Sequence, residues 1–279
     1  MKTYLVIPTY RRPQLLERTL ASIAQARLPD SLASILVIEN AERAGSEAVC
    51  ERFAERLPVQ YLFNTEAGRS RALHTGLEQC GDGLAVIFDD DIRLAPECLS
   101  AYERAAVAHG PGSYFGGAVG IDFDQPPKPW LKEFLSSSQI GYRNLSEVPT
   151  THTDELRFLG FNMAVFVSDY FAVDGMNPNL GAGAFNAGEA GNPVGSEWEF
   201  QGRLQAHGVQ PVFVPEAKVW HYVPPSRCSP EWVLYRRYRT SLTKGMLSRE
   251  PGKRLIRLGL RAPMVLLKYA LSFLAPLPR

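Results

Sequence analysis

Three consecutive carboxylates, Asp89, Asp90 and Asp91, follow directly on a short apolar run at residues 84–88. A continuous apolar run of this length predicts a strand that is buried on both faces. Because side chains alternate along a strand, we expect Asp89 and Asp91 to point to one place and Asp90 to another. Three neighbouring acids repel each other unless a cation lies among them. Such oxygens suit Mg²⁺ or Mn²⁺ bound together with substrate phosphates, and the alternative interpretation is a solvated acidic turn.

Two more candidate residues, Glu197 and His221, lie in the second half of the chain. A helix is predicted to begin at Ser196, its N-cap, with Glu197 in the first turn. A carboxylate there can act as a base on a substrate, or it can only stabilise the helix dipole. His221 follows a predicted strand at 209–220, where a packed or solvated histidine is the usual interpretation.

The elements that must position these residues alternate between strand and helix. Strands are predicted at 3–7, 34–38, 59–63 and 84–88, and helices from 13 onward and at 46–57, 69–79 and 96–108. This alternation is typical of an α/β fold with a Rossmann-like, doubly wound, mostly parallel sheet. In such a sheet, ligands bind at the carboxyl ends of the strands, which here carry residues 8–10, 39–40 and 89–91.

Later segments are less regular. Strands are predicted at 113–119 and 157–167, and the stretches at 123–156 and 177–192 predict long substrate-facing or mobile loops. The first strand is not followed by Gly-x-Gly-x-x-Gly, and the chain has no Gly-Lys-Ser/Thr. These absences argue against a dinucleotide-binding fold and a P-loop.

The composition is that of an ordinary globular protein, with 45% hydrophobic and 21% charged residues in a chain of 279. The net charge of +1 gives no case for nucleic acid as a partner. The four cysteines lack the spacing of a metal site, so reduced thiols and a cytoplasmic location are expected. Neither a signal peptide nor a membrane-spanning segment is expected.

The charge is unevenly distributed along the chain. Residues 244–279 carry eight Lys/Arg and one acid, a net charge of +7, which leaves −6 for residues 1–243. Basic residues in this tail fall mostly at helical spacing among apolar ones, which predicts a basic amphipathic helix. Such a helix can lie on an anionic membrane surface, or dock on the protein itself or a partner subunit. We favour the first, hence a peripheral protein on the cytoplasmic face of the membrane.

Five segments, in this order, resemble family 2 inverting glycosyltransferases with the A-type (GT-A) fold: residues 6–12, 68–76, 88–91, 195–204 and 219–221. The ordered set, within residues 3–240, is much more specific than any single segment. The resemblance implies inverting, metal-dependent transfer of a sugar from a nucleotide-diphospho-sugar to an acceptor hydroxyl, in cell-surface or exopolysaccharide biosynthesis. It implies a catalytic domain at 1–243, with a nucleotide-binding half at 1–120 and an acceptor-binding half at 121–243. The tail at 244–279 lies outside it.

The resemblance also implies roles for individual residues. The general base that removes the acceptor proton is Glu197. The metal, Mg²⁺ or Mn²⁺, is held by Asp89, Asp91 and His221. The nucleotide-sugar is bound by Pro8, Thr9, Tyr10, Arg12, Glu39, Arg71, Asp89 and Asp90. The favoured donor is a UDP-sugar, with GDP- and dTDP-sugars as alternatives, and the acceptor is a glycan or a lipid-linked molecule.

The chain departs from the family's pattern at Glu39, where Asp is usual, at His74, where Asn is common, and at Ser196, where Glu is frequent. The first departure leaves the nucleobase open. Arg71 can contact a phosphate or only decorate a helix. Three more arginines can reach a diphosphate or form a solvated basic face: Arg236, Arg237 and Arg239.

Other functions stay open at this point. A sugar nucleotidyltransferase is expected to carry a Gly-rich loop with Arg or Lys after its first strand, but residues 8–13 contain no glycine. A catalytically silent nucleotide-sugar-binding scaffold should tolerate loss of Glu197. A phosphatase-type aspartate nucleophile would need a suitably placed lysine, which the acids lack.

Overall fold

A computed structural model describes residues 1–150, 155–182 and 194–246. Nearly all of the predicted amphipathic tail, and most of the predicted loop at 177–192, therefore lie outside the described residues. Within the described residues, no helix has the length and apolar character needed to cross a membrane.

Eight strands form a single sheet in the described part of the chain: β1 Lys2–Thr9, β2 Leu32–Asn40, β3 Val59–Asn64, β4 Gly83–Phe88, β5 Ile92–Leu94, β6 Ser113–Phe123, β7 Asn162–Phe166 and β8 Gln210–Val223. The α-helices there are α1 Pro13–Gln25, α2 Ser46–Phe53, α3 Arg69–Glu78, α4 Cys98–His109, α5 Ser137–Ile140, α6 Val167–Ala172, α7 Ser196–Ala206 and α8 Pro230–Met246. Short 3₁₀ turns lie at Pro129–Phe134, Leu145–Glu147 and Pro225–Arg227.

The strands follow the order β3-β2-β1-β4-β7-β6-β8-β5. Parallel pairing joins β3, β2, β1 and β4, and also β6 with β8. By contrast, β7 runs antiparallel to both of its neighbours, and β5 runs antiparallel to β8. The predicted α/β class with a mostly parallel sheet is confirmed. Its parallel pattern breaks at β7, and in the described part of the long connection from β6 to β7 the α-helix is the short α5.

Some predicted boundaries were wrong. The strand predicted at 157–167 is limited to Asn162–Phe166, and the acids at 89–91 form a turn between β4 and the short β5. His221 lies inside β8 and not after it.

The predicted domain halves share one sheet, since β6 crosses residue 120 and β7 lies between β4 and β6. Helix α8 continues past residue 243, and the domain boundaries stay a prediction.

The first half of the sheet is rigid because its central strands are apolar on both faces. Residues 84–88 are fully buried between layers of helices. On one side, α1 has Pro13 at its start, as predicted, and buries an apolar stripe. On the other side, α3 approaches the sheet closely at Gly76, where a Cβ would lie 2.6 Å from Ile38 Cδ1. The carboxyl ends of β1, β2 and β4 are therefore held at one edge.

The second half of the sheet is joined through Asn162, the first residue of β7, which is completely buried. Its Nδ2 donates to the carbonyl oxygens of Ala118 and Ala217, at 3.0 and 2.9 Å. Its Oδ1 accepts from the hydroxyl of Tyr102 on α4, at 2.8 Å. One side chain thus ties β6, β7, β8 and α4 together at the point where the β6–β8 register shifts.

Replacing Asn162 with Ala should lower the free energy of unfolding by about 2–4 kcal/mol, because it leaves buried polar partners unsatisfied. Urea denaturation measures the change. Asn179→Ala, at an exposed position, is the matched control and should have an effect within about 0.5 kcal/mol. Equal stability of the two variants would show that the side-chain hydrogen bonds of Asn162 do not stabilise the sheet.

Candidate active site

A cleft of about 750 Å³ opens at the carboxyl ends of β1, β2 and β4, with α7 and α8 on its far side. This is the place where ligands bind in open α/β sheets. Of the predicted site residues, these line the cleft: Pro8, Thr9, Tyr10, Arg12, Asp89, Asp91, Glu197 and His221. Three predicted residues do not line it: Glu39, Arg71 and Asp90. The structure thus brings most of the distant sequence segments together.

Asp90 lies behind the cleft and is fully buried. Its carboxylate accepts a hydrogen bond from Thr9 Oγ1 at 2.6 Å and forms an ion pair with Arg12. Burial raises the pKa of Asp90 to about 7, and the neighbouring acids add to this, whereas Arg12 and Thr9 act in the opposite direction. As predicted, Asp89 and Asp91 line the cleft and Asp90 does not, although the three acids lie in a turn. Asp90 instead contacts Thr9 and Arg12.

Arg12 joins two of the acids, because its Nη1 also donates to Asp91 Oδ2 at 2.8 Å. It lies just before α1, so the ion pairs fix the start of this helix at the end of β4. Arg12 also lines the cleft, and 34% of its side chain is exposed. Arg12 is thus within reach of a ligand while it compensates two buried carboxylates.

Asp89 is paired with Arg69, the first residue of α3, which sequence reasoning missed. Arg69 Nε donates to Asp89 Oδ1 at 2.8 Å, and its Nη2 donates to the carbonyl oxygen of Gly160 at 2.8 Å. Burial alone would raise the pKa of Asp89, but Arg69 lowers it, so this carboxylate is ionised. The sequence signal that could have indicated Arg69 is its position directly after Gly68, at the start of a predicted helix. That helix start lies at the same edge of the sheet as the three acids.

Asp91 has one oxygen that the protein leaves without a partner. Asp91 Oδ1 is buried and accepts no hydrogen bond from the described residues. His221 Nε2 lies 3.6 Å away, and His221 Nδ1 lies 2.7 Å from the carbonyl oxygen of Ser138. Because a carbonyl can only accept, Nδ1 carries the proton and the lone pair of a neutral ring is on Nε2.

The His221 ring is held in this orientation by stacking on Phe161, with ring centroids 4.3 Å apart. Burial lowers the pKa of His221, which favours the neutral ring. A lone pair and a bare carboxylate oxygen that face each other are an arrangement that a cation stabilises. The described residues contain no group of three His, Cys, Asp or Glu side chains that could hold a metal, so substrate oxygens or water would have to complete its shell.

Glu197 lies in the first turn of α7, on the wall opposite β1. The N-cap is Gly195, with a φ of 87°, and not Ser196 as predicted. Gly160 allows the close approach of Glu197, since a Cβ at position 160 would lie 2.8 Å from Glu197 Cβ. Farther along the helix, Gln201 exchanges two 2.8 Å hydrogen bonds with the backbone of Phe158, which fixes α7 against the chain that enters β7.

Glu199 lies outside the cleft, as its helical position predicts, and pairs with Arg203. Glu197 is therefore the carboxylate of α7 that lines the cleft.

At the carboxyl end of β2, the structure differs from expectation at Glu39. Both of its carboxylate oxygens are occupied, one by Ser46 Oγ at 2.6 Å and the other by the Tyr61 hydroxyl at 2.7 Å. The next residue, Asn40, lines the cleft instead and links the Thr9 carbonyl with the Gly68 N–H. Glu39 thus organises the loop below the cleft.

Arg71 points away from the cleft, where its Nε lies 3.0 Å from Glu66 Oε2. Of the two interpretations left open by the sequence, the structure favours the one in which Arg71 decorates its helix.

Helix α8 closes the cleft with residues at positions i, i+3, i+4 and i+7: Trp232, Tyr235, Arg236 and Arg239. Arg227, in the preceding 3₁₀ turn, lies 3.9 Å from Asp91 Oδ2. By contrast, Arg237 lies outside the cleft and donates to the Phe134 carbonyl at 3.5 Å. The sequence could not decide between a ligand site and a solvated face for these arginines, because either face of α8 could have turned inward.

Replacing Arg12 with Met should leave Asp90 buried without its cation and lower the free energy of unfolding by about 3 kcal/mol near pH 8. Arg12 stabilises ionised Asp90, so the loss should grow as pH rises and shrink near pH 5, where the carboxyl is protonated. Urea denaturation at both pH values measures this.

Adding Asp90→Asn to Arg12→Met should restore most of the lost stability. The control Arg18→Met breaks an exposed ion pair with Asp122 and should change the stability by less than about 1 kcal/mol. If Arg12→Met and Arg18→Met had the same effect, the Arg12–Asp90 pair would contribute nothing to the fold.

Comparison with known proteins places the chain in a family. Residues 4–173 match the family described as Glycosyl transferase family 2. The chain is 26% identical to the succinoglycan biosynthesis protein ExoM of Rhizobium meliloti (strain 1021) over 245 residues, which are 87% of this chain and 74% of ExoM.

Two solved structures share the fold. S. aureus TarS 1-349 has a TM-score of 0.59 at 12% identity, over 90% of this chain and 74% of that chain. The mannosyltransferase PcManGT from Pyrobaculum calidifontis, in complex with GDP-Man and Mn2+, has a TM-score of 0.56 at 17% identity, over 98% and 80%. Because the family match spans more than half of the sequence, this chain belongs to glycosyl transferase family 2 and is a glycosyltransferase with the GT-A fold.

Proposed function

We propose that this glycosyltransferase moves a sugar from a nucleotide-diphospho-sugar to an acceptor hydroxyl with inversion of the anomeric carbon, and that it does so with a divalent metal. The observation that carries the proposal is one cleft that is lined by Asp89, Asp91, His221 and Glu197. Family membership decides against a sugar nucleotidyltransferase.

The donor half of the proposal rests on the edge formed by β1, β2 and β4. At the end of β1, residues 8–10 can bind a nucleoside through their backbone groups, and Asn40 can bind it through its side-chain amide. The guanidinium group of Arg12 can pair with the diphosphate. PcManGT was solved with GDP-Man and Mn2+, which supports a nucleotide-sugar here. We favour a UDP-sugar and keep GDP- and dTDP-sugars as alternatives, since Glu39 is occupied and does not select the base.

The residues present fit a divalent metal. Asp91 offers an oxygen without a partner, His221 offers the Nε2 lone pair beside it, and Asp89 is the third proposed ligand, at present paired with Arg69. Mg²⁺ and Mn²⁺ are commonly held by one or two carboxylates together with substrate phosphates. When bound, such an ion supplies positive charge that neutralises the departing diphosphate.

The acceptor half of the proposal rests on Glu197. Inverting transfer needs one base at the acceptor hydroxyl and no protein nucleophile. Glu197 Oε accepts the proton of that hydroxyl as its oxygen attacks the anomeric carbon from the side opposite the diphosphate. Arg69 and Gly160 lie between Asp89 and Glu197, so the base is held at a fixed place relative to the acids. We accordingly assign the donor to residues 1–120 and the acceptor to 121–243.

The relatives support a proposal for the acceptor class. ExoM is a succinoglycan biosynthesis protein, which supports a role in polysaccharide biosynthesis with a glycan or a lipid-linked acceptor. The chain would meet such an acceptor at a membrane surface through the basic tail, which lies outside the described residues.

Replacing Glu197 with Gln should lower the transfer rate by about 10²–10⁴-fold, because size and hydrogen bonding are kept and basicity is lost. Donor affinity should stay nearly unchanged, as expected for an interaction used in the transition state. A transfer assay with calorimetry of donor binding measures both quantities.

Glu199→Gln is the matched control for Glu197→Gln and should transfer at the wild-type rate. If Glu197→Gln also transferred at that rate, the base would lie elsewhere. If the wild type bound nucleotide-sugars but transferred none to any acceptor or to water, the chain would act as a silent scaffold.

Replacing Asp91 with Asn should remove the metal enhancement of nucleoside-diphosphate affinity, with a loss of about 10–100-fold when Mn²⁺ is present. Titration of UDP with and without Mn²⁺ measures this for wild type and variant. Wild-type protein that bound UDP equally well in both conditions would contradict the metal proposal.

Removing residues 252–279 should abolish sedimentation with anionic vesicles at low salt, because each basic residue near such a surface contributes about 1 kcal/mol. Neutral vesicles and high salt are the controls, since both remove the electrostatic attraction. If the full chain did not sediment with anionic vesicles, the tail would be a helix that docks on the protein itself or on a partner subunit.

A further inference from the structure

The short helix α5 is bound both to β8 and to the 3₁₀ turn that follows β8. Ser138, inside α5, accepts the Nδ1–H of His221 through its backbone carbonyl, at 2.7 Å. The next residue, Gln139, donates from Nε2 to the backbone carbonyl oxygen of Arg227 at 2.6 Å. These two residues of α5 line the cleft, and so do His221 and Arg227. Helix α5 thus contacts the chain at two residues that lie close to Asp91.

Backbone pairing fixes where His221 lies, but it does not fix how the ring is turned. His221 is paired with Ile92 of β5, directly after the acids, so its Cα is held beside them. The ring can still rotate about the side-chain torsions. Stacking on Phe161 sets the plane of the ring, yet a ring that flips over keeps its plane. The hydrogen bond to the Ser138 carbonyl is therefore the contact that decides which ring nitrogen faces the acids.

A backbone carbonyl can orient a ring only if the turn that carries it is fixed. Helix α5 has four residues, which is too short to be stable on its own. Gln139 completes its capping box: Gln139 Oε1 accepts from the Ser136 N–H at 3.1 Å and from Ser136 Oγ at 3.0 Å. Its Nε2 is bound to the Arg227 carbonyl, and the whole residue is 1% exposed. One buried amide thus fixes the turn to the chain that follows β8.

The chain on either side of α5 is anchored separately. Before the helix, Leu135 is buried against α8. After it, Tyr142 exchanges backbone hydrogen bonds of 2.7 and 2.9 Å with Val119 of β6. The turn between has no room for a side chain at Gly141, where φ is 69° and a Cβ would lie 2.1 Å from the Val119 carbonyl oxygen. Helix α5 is therefore a short span between two fixed points, and Gln139 decides where its carbonyl groups lie.

We propose that Gln139 is a positioning residue of this cleft, which keeps the His221 ring turned so that the Nε2 lone pair faces Asp91. Through the same amide it keeps the backbone of Arg227 next to α5. The inference rests on the proposed function, which assigns His221 and Asp91 to a metal. A histidine that binds a metal almost always donates its other N–H to a carboxylate, a carbonyl or water, and losing that partner weakens metal binding by about 10–100-fold. Because its amide is bound within the protein, Gln139 acts through Ser138 and not on a substrate.

The orientation of His221 is read from long-range proton–nitrogen NMR of the full chain at about pH 8, where a histidine ring is neutral. Wild-type protein should carry the ring proton on Nδ1, and His221→Gln identifies the signal. Gln139→Met keeps the size of the side chain and removes its hydrogen bonds, so His221 should show both neutral forms. Gln125→Met, at an exposed position, is the matched control and should leave the His221 signals unchanged.

The second measurement is Mn²⁺ affinity in the presence of UDP, followed by electron paramagnetic resonance. Gln139→Met should bind Mn²⁺ about 10–100-fold more weakly than wild type, and Gln125→Met should bind it equally well. Ser136→Ala removes one of the two hydrogen bonds to Gln139 Oε1, so it should show smaller changes in the same direction. This milder variant takes the place of Gln139→Met if thermal unfolding shows that Gln139→Met is not folded.

The proposal is overturned if the folded variant keeps the His221 proton on Nδ1, or if it binds Mn²⁺ as tightly as wild type does. A lower melting temperature with both readouts unchanged would limit Gln139 to a role in stability. Wild-type protein with the His221 proton on Nε2 would contradict the proposal directly.

Failure of this inference is distinguishable from failure of the proposed function. Wild-type protein that bound no Mn²⁺ would contradict the proposed metal, and the NMR comparison would still decide whether Gln139 orients His221. A chain that transfers sugar with a metal, and whose His221 signals do not respond to Gln139→Met, would overturn the positioning role alone.

Discussion

Three carboxylates at the end of a buried strand are the constraint on which this cleft depends. Buried charges are unfavourable unless they are paired. The chain supplies two arginines for them, Arg12 from the start of α1 and Arg69 from the start of α3. Because these arginines come from different elements, charge compensation also fixes both helices at the end of β4. What the arginines leave uncompensated is one oxygen of Asp91, which faces His221.

The same compensation links the two ends of the cleft. Arg69 binds Asp89 and the Gly160 carbonyl, and Glu197 packs against Gly160. A change at Arg69 would therefore alter the surroundings of both Asp89 and Glu197. Helix α8 lines the same cleft with Arg236 and Arg239. Carboxylates and guanidinium groups from distant parts of the chain thus meet in one cleft.

Much of the first half could be predicted from the sequence because its signals are local. Short apolar runs define β1 to β4, Pro13 marks the start of α1, and the alternation along 89–91 separates Asp90 from its neighbours. The ordered motifs were enough to indicate the family. The strand β7 was predicted, at 157–167, but its antiparallel pairing was not, and the short β5 was missed, because both pairings join strands that are far apart in the chain.

The details of the site were harder to predict, because they depend on which partner a side chain finds. Glu39 was expected at the nucleotide, but Ser46 and Tyr61 occupy its oxygens. Arg69 was missed because Gly160, one of its partners, lies far along the chain. Arg236 and Arg237 are adjacent in sequence, and only the packing of Val233 decides which of them turns to the cleft.

The stereochemical outcome of the reaction tests most directly whether Glu197 activates the attacking oxygen on the side opposite the diphosphate. The measurement is proton NMR of the first sugar product that forms from a nucleotide-α-sugar, with an acceptor or with water, before the anomers equilibrate. A single displacement assisted by one base predicts the β-anomer. Formation of the α-anomer would mean a protein nucleophile or front-side attack, and would contradict the roles given to Glu197 and to the acids at the end of β4.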